Sequence, residues 1–215
     1  MMQLPDPIYL VGILATFSLI PFVAVMATSF VKISIVMSLL RNALGVQQIP
    51  PNMAVHGLAI ILTVYIMAPV GYKTYDIVMK NDYNLENKEK FKETVSKTLD
   101  PYAQFLKEHS HPDQQDFFLD HAKETWPENH KSDLGRDSLL VLLPAFTISE
   151  LTKAFEIGFL LYLPFIAIDL IISNILLAMG MMMVSPMTIS LPLKILLFVL
   201  MDGWTKMIHG LVLSY

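Results

Sequence analysis

The chain has 215 residues, of which 54% are hydrophobic and only 16% are charged, with a net charge of −4. Soluble domains carry about 25% charged residues, so this composition is typical of a membrane protein. The acidic balance gives no reason to expect nucleic-acid binding, which needs clustered lysine and arginine. The absence of cysteine excludes disulfide bonds and thiolate chemistry.

The charges are concentrated in one segment. Residues 71–138 hold ten of the 15 Lys and Arg residues and fourteen of the 19 Asp and Glu residues, which accounts for the whole net charge. This segregation predicts three parts of the chain. They are an N-terminal apolar helical hairpin over 1–70, a polar acidic insert over 71–138, and a C-terminal apolar helical hairpin over 139–215.

The first apolar run, Ile8–Val31, is long enough for one membrane span, which needs about 20 residues. It lacks the basic start of a secretory signal peptide and exceeds a typical signal core, so we expect a retained segment, which Pro21 interrupts. Lys32 and Arg41 follow this run, whereas no basic residue precedes it. The positive-inside bias therefore predicts that residues 32–52 are cytoplasmic and that the N-terminus lies outside.

The second apolar run, Met53–Val70, leads into the insert, which this orientation places outside the cytoplasm. Helical spacing of apolar residues predicts that the insert is mostly helical. Asp100-Pro101 is typical of a helix start, so a second helix is predicted to begin there. His111-Pro112-Asp113 predicts a break, and the aromatic residues beyond it predict a third short helix: Phe117, Phe118 and Trp126. About 70 residues form only a small core, so we expect the insert to lean on a neighbouring part.

The C-terminal half repeats the plan of the N-terminal half. Ile157–Val184 is a long apolar run that Pro164 interrupts, and the shorter run Met187–Met201 follows a turn that contains proline. Short, proline-interrupted spans in matching places are typical of proteins that move a substrate across a bilayer. Ordinary proline kinks, which membrane helices tolerate, are the alternative interpretation. These patterns predict an all-α fold of membrane-type helical hairpins with proline-broken helices.

Five charged residues lie in or beside the apolar runs of this half. Each unpaired charge at the bilayer centre costs roughly 2.5–3.5 kcal/mol, so we expect these groups to be paired, near an interface, or shielded from lipid. Glu150 and Glu156 each lie three residues from Lys153, so the lysine can pair with either glutamate. A salt-bridged stripe between helices and a charged lining of an aqueous path both remain open. The residues are Glu150, Lys153, Glu156, Asp169 and Lys194.

Residues 179–187 read MGMMMVSPM and hold five of the fourteen methionines of the chain. Methionine is unbranched and adaptable, so several together form a surface that re-packs around different partners. The cluster therefore indicates a deformable seal. The alternative interpretation is a packed or lipid-facing run in which methionine substitutes for leucine. The residues concerned are Met179, Met181, Met182, Met183 and Met187.

The sequence contains no recognisable catalytic pattern, and we predict no cofactor, no metal site and no enzymatic activity. It has no phosphate-binding glycine loop and no HExxH or comparable metal spacing. Of the six histidines, only His109 and His111 are close together, and they lie at a predicted helix break without obvious further ligands. An intramembrane enzyme would fit Asp169 but lacks a paired catalytic group.

Four long stretches resemble signature segments of the FliP/SctR family, inner-membrane components of the flagellar and type III secretion export apparatus. They read TSFVKISIVMSLLRNALGVQQIPPN at 28–52, PAFTISELTKAFEIGFLLYLPF at 144–165, DLIISNILLAMGMMMVSPMTISLP at 169–192 and PLKILLFVLMDGW at 192–204. The resemblance covers nearly the whole chain, with the polar insert the loosest part. The retained N-terminal segment resembles the injectisome branch more than the flagellar branch.

The resemblance implies a non-enzymatic subunit that assembles as a homopentamer into a helical ring, the export gate, in the bacterial inner membrane, with the insert periplasmic. The implied partners are a small two-helix subunit, a larger single-copy subunit, further switch and gate proteins, and needle and inner-rod proteins. Secreted unfolded polypeptides would pass through the centre, where the methionine-rich loop lines a constriction. The charged residues of the C-terminal half would form inter-helix or inter-subunit pairs.

A small-solute transporter or channel that acts alone is the alternative. It fits the interrupted spans and the charges within them. This alternative differs from an export gate in that it predicts a stable assembly without protein partners and saturable uptake of a small substrate.

Overall fold

The computed structural model describes residues 7–46, 49–80, 88–131 and 134–215, and within these ranges it contains helices and no strand. The predicted all-α class is therefore confirmed. In chain order the helices are α1 (Pro7–Met26), α2 (Phe30–Ala43), α3 (Asn52–Lys80), α4 (Lys88–His109), α5 (Pro112–Thr125), α6 (Glu128–Lys131), α7 (Leu139–Ala178), α8 (Pro186–Leu200) and α9 (Gly203–Leu213).

The prolines of the apolar runs lie inside continuous helices and do not end them. α1 continues through Pro21, and α7 is a single helix of 40 residues that contains both Pro144 and Pro164. The breaks predicted at Pro21 and Pro164 are therefore wrong. A proline removes one backbone hydrogen bond from a helix, a loss that long apolar helices of membrane type tolerate.

The first part of the insert forms one helix where two were predicted. α4 runs unbroken through Pro101, so the prediction that a new helix begins at Asp100-Pro101 is wrong. The physical reason is that the apolar face continues beyond the proline, where Phe105 and Leu106 are buried against the start of α7. The insert thus shares its core with α7, and the expected dependence on a neighbouring part is confirmed.

The predicted break after α4 is confirmed, and the next helix starts against α7. α5 begins at Pro112, whose ring suits the first position of a helix. Just before it, the His111 N–H donates to Ser149 Oγ of α7 at 2.8 Å. The predicted third helix is therefore α5, which carries Phe117 and Phe118 with their ring centroids 5.2 Å apart.

α2 lies at the centre of the molecule, where it packs along both α7 and α3. Its Ile33, Val36 and Leu40 are completely buried. The part of residues 32–52 that α2 occupies is therefore a largely buried helix. The apolar run that precedes it is divided, since α1 ends at Met26 and α2 begins at Phe30.

Two of the described helices are long and apolar enough to cross a membrane, namely Asn52–Met79 within α3 and the whole of α7. α8 and α9 form a third candidate if they are counted together, because they meet at a bend of 61°. At 1.5 Å per residue α7 is about 60 Å long, twice the roughly 30 Å of a hydrocarbon core, so part of it extends beyond any bilayer it crosses.

α2 and α7 approach each other most tightly at a glycine. A Cβ atom on Gly158 would lie 2.2 Å from Leu39 Cδ1 and 3.2 Å from Leu39 Cβ. We expect Gly158→Ala to lower the free energy of unfolding by about 1–3 kcal/mol, because the added methyl group overpacks this contact. Thermal unfolding of the purified variant in detergent measures the change.

Gly57→Ala is the matched control for this substitution. Gly57 lies in α3, and a Cβ there would meet nothing within 4 Å. Alanine at this position is expected to be neutral or to add up to about 1 kcal/mol of helix propensity. Equal stability of the two variants would contradict the close approach of α2 and α7.

Candidate functional site

A buried ion pair joins α2 to α7. Lys32 Nζ of α2 lies 3.3 Å from Glu150 Oε2 of α7, and the side chains are 1% and 0% exposed. The sequence predicted that Glu150 is paired or shielded but did not identify Lys32 as its partner. Lys32 directly follows a long apolar run, a position equally suited to a lysine at a membrane boundary. Sequence alone therefore does not distinguish a lysine at a membrane boundary from one in a buried ion pair.

Tyr215 completes this pair from the segment that follows α9. Its hydroxyl group donates a hydrogen bond to Glu150 Oε2. Its ring lies under the Lys32 ammonium, with Nζ 3.4 Å from the ring centroid, a cation–π contact that stabilises a desolvated cation. One aromatic side chain therefore contacts both buried charges. The sequence contained no signal for this contact, which joins residues 65 positions apart.

Lys153 extends the cluster to the insert. Its Nζ lies 3.6 Å from Glu150 Oε1, which is the contact that the three-residue spacing predicts. The same Nζ donates to the backbone carbonyl oxygen of His109 at 2.7 Å, at the end of α4. Glu156, the other predicted partner, is exposed and forms no ion pair within the described ranges. We name Lys32, Glu150, Lys153 and Tyr215 the α2–α7 charge cluster.

A second ion pair links the two apolar helices of the C-terminal half. Lys194 Nζ of α8 lies 2.6 Å from Asp169 Oδ2 of α7. It also donates to the carbonyl oxygen of Ala43 at 3.3 Å, at the end of α2. Lys194 is buried and Asp169 is partly exposed. Through its two contacts Lys194 links α8 to α7 and to the end of α2.

The turn between α7 and α8 carries the methionine cluster. Gly180 adopts φ +71, the left-handed conformation that ends a helix, and the Met181 N–H closes the turn on the Leu176 carbonyl oxygen at 2.9 Å. Met183 is 99% exposed and Met182 is 81% exposed. The other members of this methionine turn, Met179, Met181 and Met187, are also exposed.

The two predicted kinds of site therefore lie in different surroundings. Four of the five predicted charges are engaged in ion pairs inside the chain, whereas the methionine turn presents apolar thioether groups to its surroundings. Within the part of the chain that the structure describes, no group of three or more His, Asp or Glu side chains could hold a metal ion. The arrangement offers internal ion pairs and an exposed apolar surface.

These features define an all-helical protein of membrane type, with long apolar helices, an insert packed on one of them, and an exposed methionine turn. The sequence profile of the FliP family matches residues 13–211. The chain therefore belongs to the FliP family.

Individual relatives match the chain over its whole length. The Yop proteins translocation protein R of Yersinia pestis is 62% identical over 100% of this chain and 99% of its own. The virulence protein YscR of Salmonella typhimurium is 51% identical over 100% of both chains. The harpin secretion protein HrcR of Erwinia amylovora is 44% identical over 98% of this chain and 97% of its own.

The buried ion pair provides a direct test of the α2–α7 charge cluster. We expect Glu150→Leu to destabilise the protein by about 3–5 kcal/mol, because it leaves the Lys32 ammonium group buried without a counter-charge. The double variant Lys32→Met/Glu150→Leu removes both charges and should recover most of this loss. Recovery is incomplete because the Tyr215 hydroxyl group loses its acceptor, which costs about 1–3 kcal/mol.

Thermal unfolding of the wild type, both single variants and the double variant measures this coupling as a double-mutant cycle. Losses in the two single variants that simply add in the double variant would contradict the ion pair between Lys32 and Glu150.

His109 makes the junction between α4 and the cluster sensitive to pH. Its ring centroid lies 4.6 Å from that of Phe105 and 5.1 Å from that of Tyr215. Burial lowers the pKa of the His109 imidazole below its ordinary value of 6.5, and the charges of Lys153 and Lys32 lower it further, while Glu150 raises it. The neutral imidazole is therefore the form that the folded protein favours.

The sign of the resulting pH dependence follows from this lowered pKa. The contribution of neutral His109 is fully present above pH 6.5 and is lost as the pH falls through the folded-state pKa. We expect the melting temperature to fall less steeply between pH 7 and 5 in His109→Phe, which keeps an aromatic ring without a titrating group. Identical slopes for the wild type and the variant would exclude this contribution.

Proposed function

We propose that this chain is a core subunit of the export apparatus of a type III secretion system, where it forms part of the gate through which unfolded substrate proteins pass. The observation that carries the proposal is the match over essentially full length to the Yersinia translocation protein, at 62% identity. Relatives named for virulence and harpin secretion match over the same length. Their names favour the injectisome branch of the apparatus.

The exposed apolar surface supports an assembly of several subunits. α3, α7 and α8 leave many large apolar side chains uncovered, including Tyr65, Phe159 and Leu200. Covering such a surface is favourable by roughly 25 cal/mol per Å², and lipid or neighbouring subunits can both provide the cover. We infer a homopentamer that also binds several copies of a small two-helix subunit and one larger subunit, in contact with further switch, gate, needle and inner-rod proteins.

The methionine turn is the proposed constriction of this gate. Flexible thioether side chains adapt to passing polypeptides of varied sequence better than branched side chains do. An apolar constriction also resists ion flow by excluding water. In a ring, the almost fully exposed Met183 and the largely exposed Met182 of each copy would project toward the central path, with Met179, Met181 and Met187 beside them.

The setting of this subunit is the bacterial inner membrane, with the insert of residues 71–138 in the periplasm. Arg41, in the last turn of α2, supports this orientation, whereas Lys32 is buried beside the insert and does not. The role is structural and not catalytic, so the energy for export comes from partner proteins or the proton motive force. The paired charges of α7 and α8 hold the subunit together and position it against its neighbours.

Assembly is the first test of this function. We expect native mass spectrometry of the chain, extracted from membranes after co-expression with its small and larger partner subunits, to show one complex that contains several copies of this chain and both partners. A monomer or simple dimer that ignores those partners would overturn the export gate and favour a stand-alone transporter. A Glu150→Ala variant that assembles normally would show that the α2–α7 charge cluster has no role in assembly.

Leakage tests the proposed constriction. We expect Met182→Ala/Met183→Ala to raise ion leakage through the purified complex in lipid vesicles, because shorter side chains widen an apolar seal. Met53→Ala is the matched control, since Met53 is 87% exposed but lies at the start of α3, outside the turn. Equal leakage from both variants would contradict a role of the turn as the seal.

A further inference from the structure

We propose that Met182 and Met183 are a site of reversible oxidation, at which peroxide-type two-electron oxidants convert the thioethers to sulfoxides and make the gate leak. The leakage part of this inference rests on the proposed role of the methionine turn as the constriction. The oxidation part rests only on the exposure of the two side chains. The two parts are therefore tested by separate measurements.

Exposure distinguishes these methionines, as it does Met53 at 87%, from the buried methionines of the same chain. Met183 is 99% exposed and Met182 is 81% exposed, whereas Met37 and Met207 are 1% and 6% exposed. Oxidation of a thioether requires the oxidant to reach the sulfur atom, so the buried residues are internal controls for the exposed ones. The chain has no cysteine, so no thiol of its own competes for the oxidant.

The turn geometry keeps these two side chains away from protecting neighbours. Met179 caps α7, the left-handed Gly180 turns the backbone, and Met182 and Met183 follow in the segment between the two helices. α8 begins only at Pro186. A side chain at the tip of such a turn has no helix packed against it, which is consistent with the nearly complete exposure of Met183.

The reaction with hydrogen peroxide is balanced without any other reactant. A lone pair of the methionine sulfur attacks one peroxide oxygen and forms the sulfur–oxygen bond while the oxygen–oxygen bond breaks. The departing hydroxide takes the remaining proton and leaves as water. The sulfur loses two electrons and the peroxide gains them, so that each methionine yields one sulfoxide and one water.

The product changes the property on which an apolar seal depends. A sulfoxide is polar and accepts hydrogen bonds, whereas the thioether is apolar. A constriction that excludes water because its lining is apolar is hydrated when the lining becomes polar. Since methionine sulfoxide reductases reverse the modification, the leak would last only as long as oxidation exceeds repair.

Mass spectrometry of the intact complex tests the site. The complex is treated with hydrogen peroxide for increasing times, quenched and digested, and the sulfoxide fraction of each methionine-containing peptide is measured. We expect Met183 and Met182 to oxidise at least about tenfold faster than Met37 and Met207, because access limits the reaction. Comparable rates at all four positions, or protection of Met182 and Met183 in the complex, would overturn the proposal.

Ion leakage from vesicles that contain the complex tests the consequence. Each protein is compared with itself before and after peroxide, and then after treatment with the two sulfoxide reductases. We expect peroxide to raise leakage several-fold in the wild type and in the control Met53→Leu, and the reductases to reverse it. Met182→Leu/Met183→Leu lacks the two most exposed sulfur atoms of the turn and keeps only those of Met179, Met181 and Met187, so peroxide should raise its leakage much less than in the wild type.

The outcomes separate this inference from the proposed constriction. If peroxide raises leakage equally in the leucine variant, or oxidises both methionines without raising leakage, the inference is wrong even where the alanine variant leaks. If the alanine variant does not leak, the constriction itself is wrong and the gating consequence is overturned with it.

Discussion

Two opposite charges are buried against each other between α2 and α7, and the ends of α4 and α9 both meet at this pair. Lys32 and Glu150 are almost completely removed from solvent, so neither charge is tolerable without the other. Tyr215 binds both of them, and Lys153 connects the same carboxylate to the last carbonyl of α4. The positions of the central helix, the insert and the end of the chain are therefore coupled through one desolvated cluster.

Polar and apolar side chains have different positions in the molecule. Except for the exposed Glu156, the charges of α7 and α8 are engaged within the chain, where Asp169 and Lys194 form a second pair at 2.6 Å. The apolar side chains of the same helices, and those of the methionine turn, remain exposed. The ion pairs thus define the helix packing inside the subunit, whereas its surface is apolar and available for contacts. That division suits the proposed gate, in which neighbouring copies cover the helices and the turns meet at the centre.

Local sequence signals were reliable for apolar segments and unreliable for prolines. The apolar runs, the break before α5 and the contact between Glu150 and Lys153 are all present. The predicted breaks at Pro21, Pro101 and Pro164 are absent, because a proline removes one backbone hydrogen bond locally while the other hydrogen bonds of a long helix remain. The sequence did not predict that Lys32 lies buried within α2, because a basic residue after an apolar run fits both a membrane boundary and a buried ion pair.

The sequence alone determined the all-α class, the family, the acidic insert and the positions of the charges and methionines. These properties depend on composition, on short-range periodicity and on long motifs, all of which are local in the chain. Only the tertiary structure decided that Lys32 pairs with Glu150, that Tyr215 closes the pair, and that the methionine turn is exposed. Burial and pairing join residues 65 or more positions apart, and they exist only after helix packing has excluded water between them.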